Sequence, residues 1–411
     1  MIETPEWICL ARITEFELPG WTWLIFVFAF GACVGSFLNV VIWRLPRDKS
    51  LIRPPSACPG CGNLIHWHDN IPILSWLLLR GRCRRCGMRI SIRYPTIELV
   101  TALLFLGLYA IYFMADIRGL GYGDTIGLTG FKDGGWLLYA CHIILLSALL
   151  AASAIDLELW VIPLHLCWFV TVVGVAGSAA APWVLNPQII KTFQLFPSAS
   201  PVIGILTLGA MLGLAVALGL LKKGIIKPSY PNQDGFLPET EANPAAPEDD
   251  TIPHRREILK EIVFLSPILL GAMITLAVYR RIPVVERGWD QVMACPMAAG
   301  LFGGLWGYLI GCGVVWVTRI LGTLAFGREA MGLGDVHLMG AAGTLLGAEM
   351  IVVAFFVAPF FGLVWASVQW LSRKTRQIPY GPFLSLAVGL VMIAHDWFWD
   401  YWSRLFCWRS F

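Results

Sequence analysis

The sequence predicts an all-α polytopic membrane protein of about ten membrane helices with a cytoplasmic loop domain, on three observations. Hydrophobic residues make up 57% of the 411 residues and charged residues only 14%, a balance that belongs to membrane chains rather than to soluble domains. Nearly uncharged windows of about 20 residues recur, each long enough to cross a hydrocarbon core of roughly 30 Å as a helix. Helix is required there, because a lipid-exposed backbone must satisfy its own N–H and C=O groups. Finally, ten of the 30 Lys and Arg residues lie between Arg44 and Arg93, against two acids, Asp48 and Asp69. Juxtamembrane positive charge marks the cytoplasmic side, so that loop is inside and the N-terminus outside. The net charge is only +3; the lipid bilayer is the expected surroundings, and no nucleic-acid partner is expected.

In chain order, residues 1–20 form an external segment without a basic n-region or a cleavage site, so the first membrane helix, 21–43, reads as an anchor rather than a signal peptide. Residues 44–96 are the cytoplasmic loop. Membrane helices follow within 97–200, over Ile97–Ala115, Trp136–Ile155 and Ile162–Ala181. A helix pair, Pro201–Leu221 and Leu259–Tyr279, occupies 201–280, and the linker 222–257 between them is rich in Pro, Asn and acids, a composition that predicts disorder. In 281–411 come Cys295–Ile320, a shorter helix from Asp335 to about Gly347, Met350–Leu371 and Pro382–Trp399. This alternation places Lys222, Lys223, Arg319, Arg328, Arg373, Lys374 and Arg376 inside and the C-terminus outside, with Lys191, Arg280 and Arg281 as exceptions.

Two constellations carry chemistry. Cys58, Cys61, Cys83 and Cys86 form two CxxC knuckles, which place four thiolates around a tetrahedral zinc. A disulfide pair is the alternative, but the basic flanks put the loop in a reducing compartment. Four protein ligands leave no open coordination position, so such a zinc is structural. His66 and His68 are substitute ligands in reach of the same loop, while Cys33, Cys141, Cys167 and Cys312 lie in apolar spans as small core residues.

The second constellation is a pair of acids. Asp335 stands in "MGLGDVHLMG" at the start of a helix, and Asp156 in "AIDLELWVIP" closes the third span at the same face. Ionisable side chains at membrane depth are functional candidates by default. Two carboxylates brought within a few ångströms share a proton, so one can act as base on a water while the other polarises a carbonyl. Gly332 and Gly334 let the backbone come near an extended substrate, and the helix N-terminus favours the charged form of Asp335. The structural alternatives are an N-cap at Asp335 and an interfacial residue beside Glu158 at Asp156. There is no HExxH, GxSxG or GxxxxGK[ST] motif.

"GACVGSFLNVVIWRLP", the cysteine loop continuing into "GMRISIRYPTIELVT", "AIDLELWVIP", "MGLGDVHLMGAAGTLLG" and "PYGPFLSLAVGL" resemble, in order, the motifs of the bacterial prepilin peptidases, GxGD aspartic proteases of the inner membrane. The resemblance implies Asp156 and Asp335 as the catalytic pair at the cytoplasmic face. It also implies prepilins of type IV pili or pseudopilins of type II secretion as substrates, cut after a short basic leader, and N-methylation of the new terminus with S-adenosylmethionine, an activity associated with the cysteine loop. Three departures stand out. Leu164 follows Pro163 where the family has Asp. His337 stands where it has Lys, which makes a fixed positive charge pH-dependent around a pKa of roughly 6.5. The extra sequence between the two aspartates reads as an inserted helix pair at 201–280, which preserves sidedness. Other GxGD proteases, of the presenilin or signal peptide peptidase type, lack their Tyr-Asp and Pro-Ala-Leu partners here. A non-catalytic zinc-loop scaffold or transporter is the remaining alternative, since broken glycine-rich helices line transport sites too.

The linker composition generates the first prediction. Deleting residues 228–252 is expected to leave insertion and cleavage of a model prepilin unchanged, because loop closure depends weakly on length and the segment cannot bury a core. Loss of cleavage in a normally inserted protein would make the linker an element of substrate capture.

Overall fold

The computed structural model describes residues 20–186, 195–227, 229, 254–327, 329–371, 379–398 and 401. The N-terminal segment up to residue 19, most of the linker 222–257, Lys191, Arg328, the Arg373, Lys374 and Arg376 group and the C-terminal residues lie outside them.

The helices are α1 (Trp21–Arg44), α2 (Leu74–Leu78), α3 (Arg93–Tyr109), α4 (Trp136–Leu159), α5 (Leu164–Val184), α6 (Pro201–Lys222), α7 (His254–Arg281), α8 (Pro283–Met293), α9 (Pro296–Phe326), α10 (Leu333–Leu346), α11 (Ala348–Leu371) and α12 (Gly381–Ile393). Among the described residues extended pairing is limited to two isolated bridges, Ala57 with Leu64 and Arg82 with Arg89. Eight helical segments are long and apolar enough to cross a membrane, judged by length and composition. The chain is thus a multi-pass membrane protein. Within the span predicted over Pro382–Trp399 lies the 13-residue α12 with its C-cap at Ala394, and residues 395–398 are helical again. The short helix predicted from Asp335 begins at Leu333 and runs 14 residues. The helix α8 was not predicted, because its 11 residues mix charges with apolar side chains and resemble no span. It is tied down by Trp289 Nε1 donating to the Pro201 carbonyl at 2.9 Å and Tyr279 OH to Asp290 Oδ1 at 2.8 Å.

The chain forms two compact units. The first comprises α1 as far as Phe37, the cysteine loop from Ser56 and α3. Within it α1 and α3 approach closely, Gly31 lying on Ala102 and Phe105 and Gly35 on Glu98 and Thr101. Glu98 Oε2 accepts the Ile73 N–H at 2.7 Å, which ties the loop to α3.

The second unit runs over Leu38–Pro55 and from Ala110 onward. At its centre is α10, buried at every position from Leu338 to Leu346 and packed chiefly on α9 and α5, with α11, α12 and α4 around it. A 14-residue helix rises about 21 Å at 1.5 Å per residue, too little to cross a bilayer, so burial in protein is its stable environment. Lipid offers apolar side chains no hydrophobic gain over one another, so close backbone contact between small residues holds such helices together. A Cβ on Gly307 of α9 would run into the Gly343 carbonyl of α10, and one on Gly343 into the Gly307 carbonyl. The helices α6 and α7 pack on each other and on α9. Lipid-facing apolar residues such as Leu269, Leu270, Met273 and Ile274 of α7 are exposed.

The reciprocal glycine contact generates a prediction. Gly343→Val forces α9 and α10 apart and is expected to cost about 1–3 kcal/mol, the usual penalty of overpacking, read as a lower melting temperature in detergent. Gly313→Ala, where an added Cβ meets nothing within 4 Å, is the control and should melt like the wild type.

Candidate functional site: a buried carboxylate pair and a four-thiol cluster

Asp156 is in the last turn of α4 and Asp335 is the third residue of α10; they are 5% and 8% exposed. The α4 helix ends because Trp160 turns left-handed (φ 57°) while its N–H still caps the Asp156 carbonyl at 3.0 Å. The chain then passes through Ile162 and Pro163 into α5. Ile162, which follows the Asp156 helix, packs against both α10 and α12: Cβ atoms built on Gly334 and Gly381 would lie 2.9 Å and 3.2 Å from it. The Asp156 carboxylate lies against Gly381, where an added Cβ would collide with its Oδ2. Asp335 lies beside Gly332, the N-cap of α10, where an added Cβ would stand 3.7 Å from its Oδ2. The charge of Asp156 acts directly on Asp335, as does that of Arg319, and Tyr380 also feels Asp335. The structure therefore brings the two predicted acids to one place. Gly332 and Gly334 serve as cap and packing surface there.

The two departure positions fall nearby. His337 Nδ1 is 3.2 Å from Tyr308 OH, beside the Trp168 ring, and Leu164, the first residue of α5, is exposed. Sequence reasoning missed the contacts of Arg319, which reach both the segment before Asp335 and α7. Its signal was an arginine amid an apolar span.

In the first unit, the sulfurs of Cys58, Cys61, Cys83 and Cys86 all lie within 4.8 Å of one another. The two knuckles repeat one pattern. Cys58 N–H donates to the Asn63 carbonyl and Cys83 N–H to Met88, each at 2.9 Å, while Gly62 and Gly87 donate back to Cys58 and Cys83. Both glycines need the left-handed region, at φ 68° and 70°. Arg84 clamps Asp69 through two nitrogens at 2.6 Å and 2.9 Å, and Arg85 reaches Asn63 Oδ1 at 3.0 Å, which joins one knuckle to the other. The backbone N–H and amide of Asn63 draw the Cys61 thiol down to about 6, and the backbone N–H groups of Cys86 and Arg85 lower Cys83. Cys86 moves the other way: against the pull of the Met88 N–H, burial and the neighbouring thiols push it up to about 11. Such a cluster favours ionisation of some thiols and resists a fourth negative charge without a cation. The Cys58–Cys86 sulfur separation is 3.7 Å, against about 3.8 Å for two corners of a tetrahedron with 2.3 Å zinc–sulfur bonds and about 2.05 Å for a disulfide. The donor set and spacing thus fit zinc. His66 and His68 stack on each other at 5.5 Å, and the cluster is made of cysteines alone.

Residues 29–112 match the model of the bacterial peptidase A24 N-terminal domain, and residues 262–367 that of the type IV leader peptidase family. The first segment contains the four cysteines and the second Asp335, while Asp156 lies outside both. A prepilin leader peptidase/N-methyltransferase of Myxococcus xanthus (strain DK1622) is 42% identical over 177 residues, 42% of this chain and 45% of the relative. A type 4 prepilin-like proteins leader peptide-processing enzyme of Escherichia coli O78:H11 is 42% identical over 147 residues, 31% of this chain and 46% of its own. A prepilin leader peptidase/N-methyltransferase of Klebsiella pneumoniae is 40% identical over 162 residues, 38% and 61% respectively. The chain spans about half the length of the curated relatives it matches. No solved structure matches it. Two segments of the chain are thus similar to the bacterial peptidase A24 N-terminal domain and to the type IV leader peptidase family.

Proposed function

We propose that this chain is a membrane aspartic endopeptidase that removes the short basic leader from prepilins or pseudopilins at the cytoplasmic face of the bacterial inner membrane. The observation that carries the reading is the convergence of Asp156 and Asp335, two buried carboxylates from distant parts of the sequence, within electrostatic reach of each other. A scaffold or transporter gives no reason for two buried acids to converge from the end of α4 and the start of α10.

In the proposed reaction the pair holds one proton. The ionised carboxylate takes a proton from a water as that water attacks the scissile carbonyl, and the protonated one donates its proton to the carbonyl oxygen. Gly381 and Gly332 lie beside the two carboxylates, and Ile162 packs against Gly334 and Gly381. The absence of a side chain at Gly381 leaves room for the Asp156 carboxylate. The same reading orients the N- and C-termini outward and includes S-adenosylmethionine-dependent methylation of the new N-terminus. That second activity is in keeping with the names of the Myxococcus and Klebsiella relatives. No residue here is assigned to the methyl donor. Cys58, Cys61, Cys83 and Cys86 would hold one structural zinc, which cross-links the two knuckles.

Asp156→Asn and Asp335→Asn are each expected to lower the cleavage rate of a model prepilin by at least about 10⁴-fold, the order seen when a member of a catalytic unit is removed, while the protein remains inserted. Near wild-type cleavage by either variant would remove that residue from the mechanism. The wild type should show a bell-shaped pH–rate profile, since a coupled pair titrates in two steps.

Metal analysis should find one zinc per purified chain and a loss of it in Cys83→Ser. That variant should lose methylation more than cleavage, because the carboxylates stand on other helices. Full zinc retention by Cys83→Ser would contradict the ligand set.

A further inference from the structure

Arg319 of α9 is 1% exposed and is held on two sides. Its Nε donates to Glu261 Oε1 of α7 at 3.0 Å, and Glu261, itself 3% exposed, accepts the Trp316 indole N–H on its other oxygen at 3.1 Å. The Trp316 ring also stacks on Phe264 of α7, with centroids 5.5 Å apart. On the opposite side Arg319 Nη1 meets Glu329 Oε1 at 2.6 Å and the Met331 carbonyl at 2.5 Å. Glu329 and Met331 belong to the segment that leads from α9 into α10, directly before Gly332 and Asp335. Thr323 completes the attachment: its carbonyl accepts the Gly327 N–H at 3.0 Å and its hydroxyl the Ala330 N–H at 3.4 Å.

We infer that Glu261 and Arg319 are positioning residues that carry α7 into the site: Glu261 orients the guanidinium, and the guanidinium fixes the 329–332 segment that sets Gly332 and Asp335. The inference rests on the endopeptidase reading for its kinetic consequence but not for its geometry. Guanidinium is a planar fork, so holding Nε on Glu261 dictates where Nη1 points, and Nη1 is the atom that grips the segment. A freely hinged segment would let Asp335 drift relative to Asp156, and misplacement of about 1 Å in a reacting group costs on the order of 100-fold in rate. The helix pair read from sequence as a passive insertion therefore has one working helix. The segment matched by the leader peptidase family model begins inside α7 at residue 262, one residue past Glu261.

The test compares the purified full-length chain with Glu261→Gln, which keeps the shape of the side chain, and with Arg319→Lys, which keeps the charge but loses the fork. Lys260→Gln, one residue away on α7 and paired with Glu257, is the control. Cleavage of a model prepilin is resolved into kcat and KM, and hydrogen exchange is followed over residues 327–336. Glu261→Gln and Arg319→Lys are expected to lower kcat by about 100-fold at constant KM and to speed exchange in that segment, with Lys260→Gln unchanged in both. Wild-type kcat and wild-type exchange in Glu261→Gln would overturn the inference, and so would an equal loss in Lys260→Gln, which would mark a general effect on α7. If the wild type itself does not cleave, the endopeptidase reading fails while the exchange measurement still decides whether Glu261 holds the segment.

Discussion

The burial of α10 is the constraint on which the second unit depends. A helix of 14 residues cannot span a bilayer and cannot leave its ends in lipid without stranding backbone groups. It must be surrounded by protein, and α5, α9, α11, α12 and α4 surround it. That enclosure requires close helix contacts, hence the facing glycines Gly307 and Gly343, and Gly174 of α5 against Thr344. It also places the N-terminus of α10, with Asp335, among the ends of other helices instead of in open solvent.

Burial of that helix end concentrates ionisable groups where solvent screening is weak. Asp156, Asp335, Arg319 and Glu261 belong to four separate helices and Glu329 to the segment joining two of them, and their mutual charges matter because little water intervenes. Close approach of Gly381 to the Asp156 carboxylate and a bidentate use of Arg319 make the arrangement geometrically definite. A site with this construction suits chemistry that needs two acids at controlled separation.

The cysteine loop solves a different problem. With one five-residue helix, one 3-10 turn over Trp67–Asn70 and two isolated bridges it has little regular structure to hold it. Repeated knuckle turns, the Arg84–Asp69 clamp and the Glu98–Ile73 hydrogen bond supply order, and four convergent sulfurs provide the place for a metal cross-link. Its hydrogen-bonding pattern follows from local sequence: a CxxCG step puts a glycine where the left-handed turn falls, twice.

Features that depend on composition and local spacing were legible in the sequence. Apolar windows long enough for a bilayer identified the eight long segments, because the membrane imposes length and hydropathy residue by residue. CxxC spacing identified the sulfur cluster, and an aspartate after a glycine turn identified the start of α10. Asp156 was legible as a partner because membrane topology fixes depth, which reduces a three-dimensional search to one coordinate. Lateral placement was not legible, since hydropathy says how deep a residue lies and nothing about which helix is its neighbour. Only tertiary structure decided that Ile162 packs against Gly334 and Gly381 and that Gly381 lies on the Asp156 carboxylate. It also decided that Glu261 of α7 reaches Arg319, a contact across 58 residues of sequence, because packing among small residues rather than hydropathy selects which helices touch.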